Sequence, residues 1–399
     1  MTPNQETKNT YTGIQALRFV AAMLVVLAHS TAMVNERMHL DMFKWRAGWS
    51  GVDIFFVISG FVMAISSGTL ITRANGWKIF ITRRLIRIVP LYWVATTLKL
   101  ATIIAMPALA LDSPLELWNT IASYLFIPTF DDKSLLAAPL LKVGWTLNYE
   151  MLFYAIFTMA LFLGKSPLKF TAAIFAIAVA INIFSPPSVP YAYGFLEPIL
   201  MEFVMGMLVA TLCMRVNNMN ANVNTGLNTG LNTGLNTGLN TGLNTDLATG
   251  TRRGVNNFID TLLQYISTTK VGAIIGALAL VICFTIMFNC AEQPMWWRWA
   301  YWGLPSMVIV LVIALGEPAL RKIMPTMLAT LGDSSYSLYL FHTFTVPLLG
   351  TLMIKLKIIQ PTLALAACIV ISPLVCLVIY AWFELPMTTR LKRLAHFRK

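Results

Sequence analysis

Charged residues are scarce in this sequence. Lys, Arg, Asp and Glu together make up 12% of its 399 residues, whereas roughly a quarter of a typical soluble domain is charged. Hydrophobic residues make up 57%, and the mean hydropathy is +0.69. A soluble fold of this length would need far more polar surface to cover its core. The composition therefore argues against a set of soluble domains and indicates one membrane domain over residues 1–399.

Metal-binding patterns and acidic residues are also in short supply. All five cysteines lie in apolar stretches, and no CxxC or His–Cys spacing suggests zinc. We therefore expect no metal, and we interpret the cysteines as small packing residues. Asp and Glu number 17 against 29 Lys and Arg, a formal net charge of +12. The basic residues are spread over separate loops, which argues against nucleic-acid binding.

Apolar runs close to the ~20 residues that cross a bilayer recur along the chain. They predict an all-α polytopic membrane protein with about ten transmembrane helices, at about 13–33, 49–68, 90–110, 145–163, 168–184, 194–213, 271–290, 300–316, 333–353 and 360–382. Basic residues concentrate in the loops on the side of the termini and in the C-terminal tail. The positive-inside rule then predicts that both termini are cytoplasmic. We expect a multi-pass protein of the cell inner (plasma) membrane.

One low-complexity stretch interrupts this pattern between the sixth and seventh predicted helices. Five copies of Asn-Thr-Gly-Leu run from Asn224 to Leu243. A leucine every fourth residue hints at a helical stripe, but each glycine costs about 1 kcal/mol relative to alanine in a helix. We therefore predict that 217–256 is a disordered cytoplasmic linker of variable length.

Ionisable residues inside apolar runs are the first candidates for function, because they are costly in a bilayer. Arg18 and His29 lie eleven residues apart on the first predicted helix, which places them on nearly the same face and about 16 Å apart. Arg18 could instead be a snorkelling anchor, and His29 could be a simple interfacial residue.

Two further motifs follow. Small residues in the run from Gly51 to Phe61 favour close helix packing. Packing does not explain Asp53 within this run, although Asp53 could simply lie at the outer headgroups. Arg84 and Arg87 are neighbours on a helical turn. Such a pair suits a phosphate, which a guanidinium binds in bidentate fashion, although anchoring at the cytoplasmic surface explains the pair equally well.

Polar residues also enter three later helices. Glu150 lies about a turn and a half into the fourth predicted helix. A polar seam runs from Ser335 to His342, and Glu384 closes the last helix. Each of these could cap a helix or bond between helices. Their number in one chain indicates a polar cavity.

Six motifs, in their order along the chain, resemble those of the membrane acyltransferase-3 family. They are Arg18-x10-His29, Gly51-Val-Asp-Ile-Phe-Phe-Val-Ile-Ser-Gly-Phe61, Arg84-x-x-Arg87-x-x-Pro90, Trp145-Thr-Leu-x-x-Glu150, Ser335-Tyr-Ser-Leu-Tyr-Leu-Phe-His342 and Phe383-Glu-x-Pro386. The stretches Ile14-Gln-Ala-Leu-Arg-Phe-Val-Ala-Ala22 and Trp49-Ser-Gly-Val-Asp-Ile54 also resemble the branch that O-acetylates bacterial exopolysaccharides. The repeat stretch departs from the family pattern. Many family members carry an extra extracytoplasmic hydrolase-like domain, which we do not expect in this chain.

The resemblance implies transfer of an acyl group, usually acetyl, from cytoplasmic acyl-CoA to a hydroxyl of an extracytoplasmic polysaccharide. Arg84 and Arg87, together with Arg18, would hold the CoA phosphates. The partners would be the lipid bilayer, the cell-surface polysaccharide acceptor and polysaccharide-assembly machinery.

Within that reaction, His29 is the expected general base, since neutral imidazole suits this task. Glu150 is expected to orient it, as the third member of a triad does, and Asp53 is grouped with them as a catalytic residue. A covalent relay through His29 or a Tyr stays open. Two rival classes also stay open: a transporter or flippase for a glycan or lipid-linked intermediate, and a membrane scaffold without catalysis. No inverted repeat or broken-helix pair favours the transporter.

Overall fold

The computed structural model of the protein describes residues 11–38, 45–105, 116–129, 139–184, 197–232, 261–290, 297–358 and 360–395. These ranges are helical and contain no β-strand. The helices are α1 (Thr12–Met38), α2 (Ser50–Ser67), α3 (Gly76–Ala105), α4 (Leu117–Tyr124), α5 (Trp145–Phe162), α6 (Pro167–Phe184), α7 (Met201–Asn232), α8 (Lys270–Asn289), α9 (Leu304–Leu315), α10 (Glu317–Ile323), α11 (Thr326–Asp333), α12 (Ser335–Lys355), α13 (Pro361–Ile379) and α14 (Leu385–Leu394).

The predicted all-α membrane architecture is confirmed. Within the described ranges, eight helices are long and apolar enough to cross a membrane. The bent pair Trp299–Leu315 and Glu317–Ile323, with 69° between its halves, raises the number to nine if it is one span. The span predicted at 145–163 is the one that this count leaves out. It is helix α5, whose first two turns are polar because they contain Asn148 and Glu150.

Two boundaries differ from the sequence-based expectation. The third span was placed at 90–110, but α3 begins at Gly76 and runs through Pro90. The arginines that made 76–89 look like a loop lie on this helix, and a cavity rather than lipid receives the side chains of Arg84 and Arg87. Helix α7 continues to Asn232, into the first repeats. Residues 233–256 of the predicted linker lie outside the described residues, so the linker stays a prediction.

Helix α1 packs against α2, α11, α12 and α13, so it lies inside the helical assembly. Its amino end is capped by a distant residue. The backbone N–H groups of Thr12 and Gly13 donate to the two carboxylate oxygens of Glu317 at 2.7 and 2.9 Å. These N–H groups have no partner within their own helix, and the helix dipole favours a negative charge at this end. Glu317 therefore fixes the start of the helix that carries Arg18 and His29.

Helices α2 and α7 approach closely through two glycines. A Cβ atom added to Gly60 would lie 2.0 Å from the Phe203 carbonyl oxygen, and one added to Gly206 would lie 2.0 Å from the Val57 carbonyl oxygen. Backbone atoms at such distances cannot move aside without separating the helices. The close packing predicted from the small residues of this motif is therefore confirmed.

Replacing Gly60 with alanine should destabilise the protein by about 1–3 kcal/mol, because overpacking forces the two backbones apart. Thermal unfolding of the detergent-solubilised protein would measure the loss as a lower Tm. Gly68→Ala is the matched control, since an added Cβ there meets only the Ile65 carbonyl oxygen, at 3.8 Å. Equal Tm values for the two variants would contradict the close approach.

Candidate active site

A cavity of about 100 Å³ lies between α1, α2, α3, α5 and α12. Three guanidinium groups and one carboxylate share its wall, those of Arg18, Arg84, Arg87 and Glu150. The other polar groups of the lining are the hydroxyls of Ser59, Thr146, Tyr154, Ser335, Tyr336 and Tyr339. The four predicted residues come from three helices, so the fold unites motifs that are far apart in sequence. The sequence predicted a polar cavity, and the structure contains one, although His342 and Glu384, two of the residues behind that prediction, do not line it.

The protein itself provides the three guanidinium groups with few hydrogen-bond partners. Arg84 Nη2 donates to the Ser66 hydroxyl at 3.1 Å, while its buried Nε has no hydrogen-bond partner. Arg18 Nη1 makes one long bond, 3.4 Å, to the Gln15 amide oxygen. Among the described residues, none of the three forms an ion pair with a carboxylate. The cavity therefore offers clustered positive charge and a free donor to an anion, the chemistry by which Arg binds phosphate.

Glu150 is held by its neighbours inside the cavity. Its Oε1 accepts hydrogen bonds from the Ser59 hydroxyl, at 3.0 Å, and from the Tyr154 hydroxyl. Tyr154 is four residues further along α5 and thus on the same face, a local signal that the sequence does contain. Glu150 makes no hydrogen bond to His29. The structure therefore does not bring together the pair that was expected to form a triad.

His29 instead faces a second histidine. The Nδ1 of His29 lies 3.0 Å from the Val25 carbonyl oxygen and 3.4 Å from Nε2 of His342. The Nδ1 of His342 lies 3.0 Å from the Leu338 carbonyl oxygen. The two imidazole centroids are 4.8 Å apart, and the Trp49 ring lies at the same distance from His29. His342 is completely buried, whereas His29 is partly exposed.

Tyr339 links the cavity to the histidine pair. Its hydroxyl forms a 2.8 Å hydrogen bond with the Thr146 hydroxyl, and both residues line the cavity. Its ring centroid is 6.0 Å from that of His342. His29 itself does not line the cavity. The arginines, the cavity, Tyr339, His342 and His29 thus follow one another as neighbouring groups through the helical assembly.

Asp53 forms a buried ion pair with Arg298. Arg298 donates from Nε to Oδ1 at 2.9 Å and from Nη2 to Oδ2 at 2.8 Å. The Asp53 side chain is 0% exposed and the Arg298 side chain is 6% exposed. The guanidinium also lies over the Trp302 ring, 4.9 Å from its centroid. This geometry gives Asp53 a partner that joins α2 to the segment just before α9, while its catalytic role stays a prediction.

Arg298 and Glu202 were missed from the sequence. Glu202 is fully buried, and Gly303 leaves room for it, since an added Cβ there would lie 3.0 Å from its Oε1. Three tryptophans flank Arg298 at positions 296, 297 and 299, which was the available signal that this charge is shielded from water. In the described part of the chain, no group of three or more His, Cys, Asp or Glu side chains is placed to hold a metal ion.

Comparison with known proteins adds two matches. A family model described as an acyltransferase domain matches residues 11–382 and so covers every site residue above. The exopolysaccharide production protein ExoZ of Rhizobium meliloti (strain 1021) is 39% identical to this chain over 166 residues, which are 41% of the chain. The chain spans 50% of the length of that relative. No solved structure matches the chain.

Proposed function

This chain belongs to the acyltransferase domain family, and on that premise we propose that it is a membrane O-acyltransferase. In the proposal, it moves an acetyl group from cytoplasmic acetyl-CoA to a hydroxyl of an extracytoplasmic polysaccharide. The observation that supports this best is the set of three guanidinium groups around a cavity whose lining reaches Tyr339, beside the histidine pair.

Donor binding is proposed for the arginine side of the cavity. The phosphate groups of CoA carry several negative charges, and Arg18, Arg84 and Arg87 provide cations that form no ion pair with a carboxylate in the described residues. Charge-assisted bonds of this kind are short and strong. The pantetheine arm would then extend along Glu150 towards Tyr339 and bring the thioester close to the histidines.

The reaction needs two proton transfers, one to His29 and one from His29. His29 takes the proton of the acceptor hydroxyl, and the hydroxyl oxygen forms a bond to the thioester carbonyl carbon. The C–S bond then breaks, CoA leaves as a thiolate, and the imidazolium of His29 returns the proton to that sulfur. No oxidant or further reactant is required.

The charge distribution supports the proposed sidedness. Arg84 and Arg87 lie in the N-terminal half of α3, and Arg83 beside them is exposed. Basic residues also mark the end of α14, at Arg390, Lys392 and Arg393. The positive-inside rule assigns such ends to the cytoplasm. Both termini and the donor side of the cavity would then face the cytoplasm of the cell, with the protein in its inner membrane.

The acceptor is proposed from the relative. ExoZ carries the name of an exopolysaccharide production protein, and a cell-surface polysaccharide presents many hydroxyl groups. His29 lies eleven residues beyond Arg18 on α1, about 16 Å further across the membrane. A hydroxyl that arrives from the outer side can therefore meet a thioester that arrives from the inner side. We also propose that the protein works beside polysaccharide-assembly machinery.

A transfer assay in membranes tests the function. Membranes with and without the protein would receive acetyl-CoA labelled in the acetyl group, and polysaccharide would be isolated and treated with mild alkali. Label that enters the polysaccharide and is released as acetate supports an O-acetyl ester. A transporter or a scaffold needs no thioester, so equal labelling with and without the protein would refute the proposal.

The arginine pair gives a sharper prediction for the donor. Lys at both Arg84 and Arg87 keeps the charge but loses the bidentate fork, and hydrogen bonds to charged groups are worth about 1.5–3 kcal/mol each. The double variant should raise the KM for acetyl-CoA about tenfold or more in the transfer assay, while the KM for the acceptor changes little.

The control for this prediction is Arg83→Lys, on the exposed face of the same helical turn. Acetyl-pantetheine, a donor without the nucleotide phosphates, should be used equally well by the original protein and by the double variant. An unchanged KM for acetyl-CoA would indicate that Arg84 and Arg87 only anchor their helix at the cytoplasmic surface.

A further inference from the structure

The hydrogen-bond partners of the two histidines define which nitrogens carry protons. The Leu338 carbonyl oxygen can only accept, so Nδ1 of His342, 3.0 Å away, is the donor. His342 is completely buried at membrane depth, where a charge is costly. Its ring is therefore neutral, and its Nε2 carries a lone pair.

The same reasoning extends to His29. The Val25 carbonyl oxygen can only accept, so Nδ1 of His29 carries a proton. The Nδ1 atom of His29 lies 3.4 Å from Nε2 of His342, so its proton is shared between the Val25 carbonyl oxygen and that nitrogen. In the neutral ring, Nε2 of His29 is then unprotonated, and it makes no hydrogen bond within the described residues. This is the nitrogen that can accept a proton from a hydroxyl.

We propose that His342 is the positioning residue of His29, and this inference rests on the proposed function. A chain of hydrogen bonds runs from the Leu338 carbonyl through His342 to Nδ1 of His29 and leaves Nε2 of His29 as the base. When Nε2 takes the acceptor's proton, His342 stabilises the resulting imidazolium at Nδ1. His342 thus has the place in the site that the sequence had suggested for Glu150.

The packing around the pair keeps this geometry fixed. Helices α1 and α12 approach closely beyond the histidines, where a Cβ added to Gly350 would lie 2.3 Å from Met33 Sδ. The Trp49 ring limits the rotation of His29 on another side. Because each histidine bonds a carbonyl on its own helix, neither ring can turn without losing that bond.

The test compares three substitutions of His342. In His342→Gln, the side-chain amide oxygen can reach the former position of Nε2 and accept from His29. In His342→Phe, a ring of similar shape has no acceptor. His342→Asn provides a second polar side chain, one too short to reach His29. Thr343→Ala, on the same helical turn, is the control.

We expect kcat to fall about ten- to a hundredfold in the Phe and Asn variants, by analogy with the loss seen when the partner that orients a metal-binding histidine is removed. The KM for acetyl-CoA should be unchanged. The Gln variant should recover most of the lost kcat. Val25 still holds the tautomer in all three variants, so the loss should be smaller than that caused by removing His29.

Rates are compared per molecule of monodisperse protein, which separates chemistry from folding. Normal kcat in the Phe and Asn variants would overturn the inference, as would a Gln variant no faster than these two. Absence of transfer by the original protein is a different result, since it would refute the proposed function itself.

Discussion

Replacing His29 with alanine should lower acyl transfer by about 10²–10⁴-fold, the usual effect of removing a general base. The alcohol would then have to lose its proton to water in a site that packed helices enclose. His29 is partly exposed on α1 and makes no interhelical bond except to His342. Folding and membrane insertion should therefore be preserved. The measurement is the transfer assay with labelled acetyl-CoA, at equal amounts of folded protein.

The control for this variant is Thr31→Ala, two residues further along α1, where the hydroxyl bonds only the Ala28 carbonyl of its own helix. It should transfer at a near-normal rate. Transfer by His29→Ala at a similar rate would mean that the base lies elsewhere. His342 would be the next histidine to test, because its unprotonated Nε2 lies next to His29.

Replacing Arg298 with methionine should destabilise the folded protein by about 3–5 kcal/mol, as is typical when one partner of a buried ion pair is removed. The variant leaves Asp53 without its two hydrogen bonds, in a side chain that is completely buried. It also removes the cation nearest to Glu202, a second buried carboxyl group. We expect a much lower Tm in detergent and a low yield of monodisperse protein.

Asp53→Asn should destabilise the protein less than Arg298→Met, because the amide oxygen of asparagine can still accept a hydrogen bond from Arg298, and the carboxyl group of Glu202 stays nearby. The control is Arg321→Met, which breaks the partly exposed ion pair with Glu317, in which the arginine side chain is 44% exposed. Such pairs contribute about 0–1 kcal/mol. A stable, well-folded Asp53→Asn protein without transfer activity would instead favour a catalytic role for Asp53.

Much of the fold follows from the sequence, because the length and apolarity that a bilayer demands are local properties. The run at 271–290, for instance, is helix α8, Lys270–Asn289. The third span was misplaced because Arg84 and Arg87 were counted as loop residues. The rule that charges avoid lipid holds, but the side chains face a cavity, and sequence alone does not show which face of a helix is covered.

The site was predictable as a set of residues but only partly as a set of contacts. Arg84, Arg87 and Glu150 do share one cavity, yet Glu150 does not touch His29. Each helical turn advances 5.4 Å, so an error of one or two turns in the depth of a span is enough to separate two side chains. The partner of Asp53 lies 245 residues away, and no local pattern identifies it.

The carboxylate that caps α1 has a consequence for biosynthesis. A ribosome releases α1 first, but the cap of Thr12 comes from a residue 305 positions later. Gly332 and His342, which also contact this helix, follow still later. During insertion, the helix that bears His29 is therefore in the membrane before its first N–H groups can bond the Glu317 carboxylate. The geometry of the histidine pair is completed only when the last quarter of the protein has been inserted.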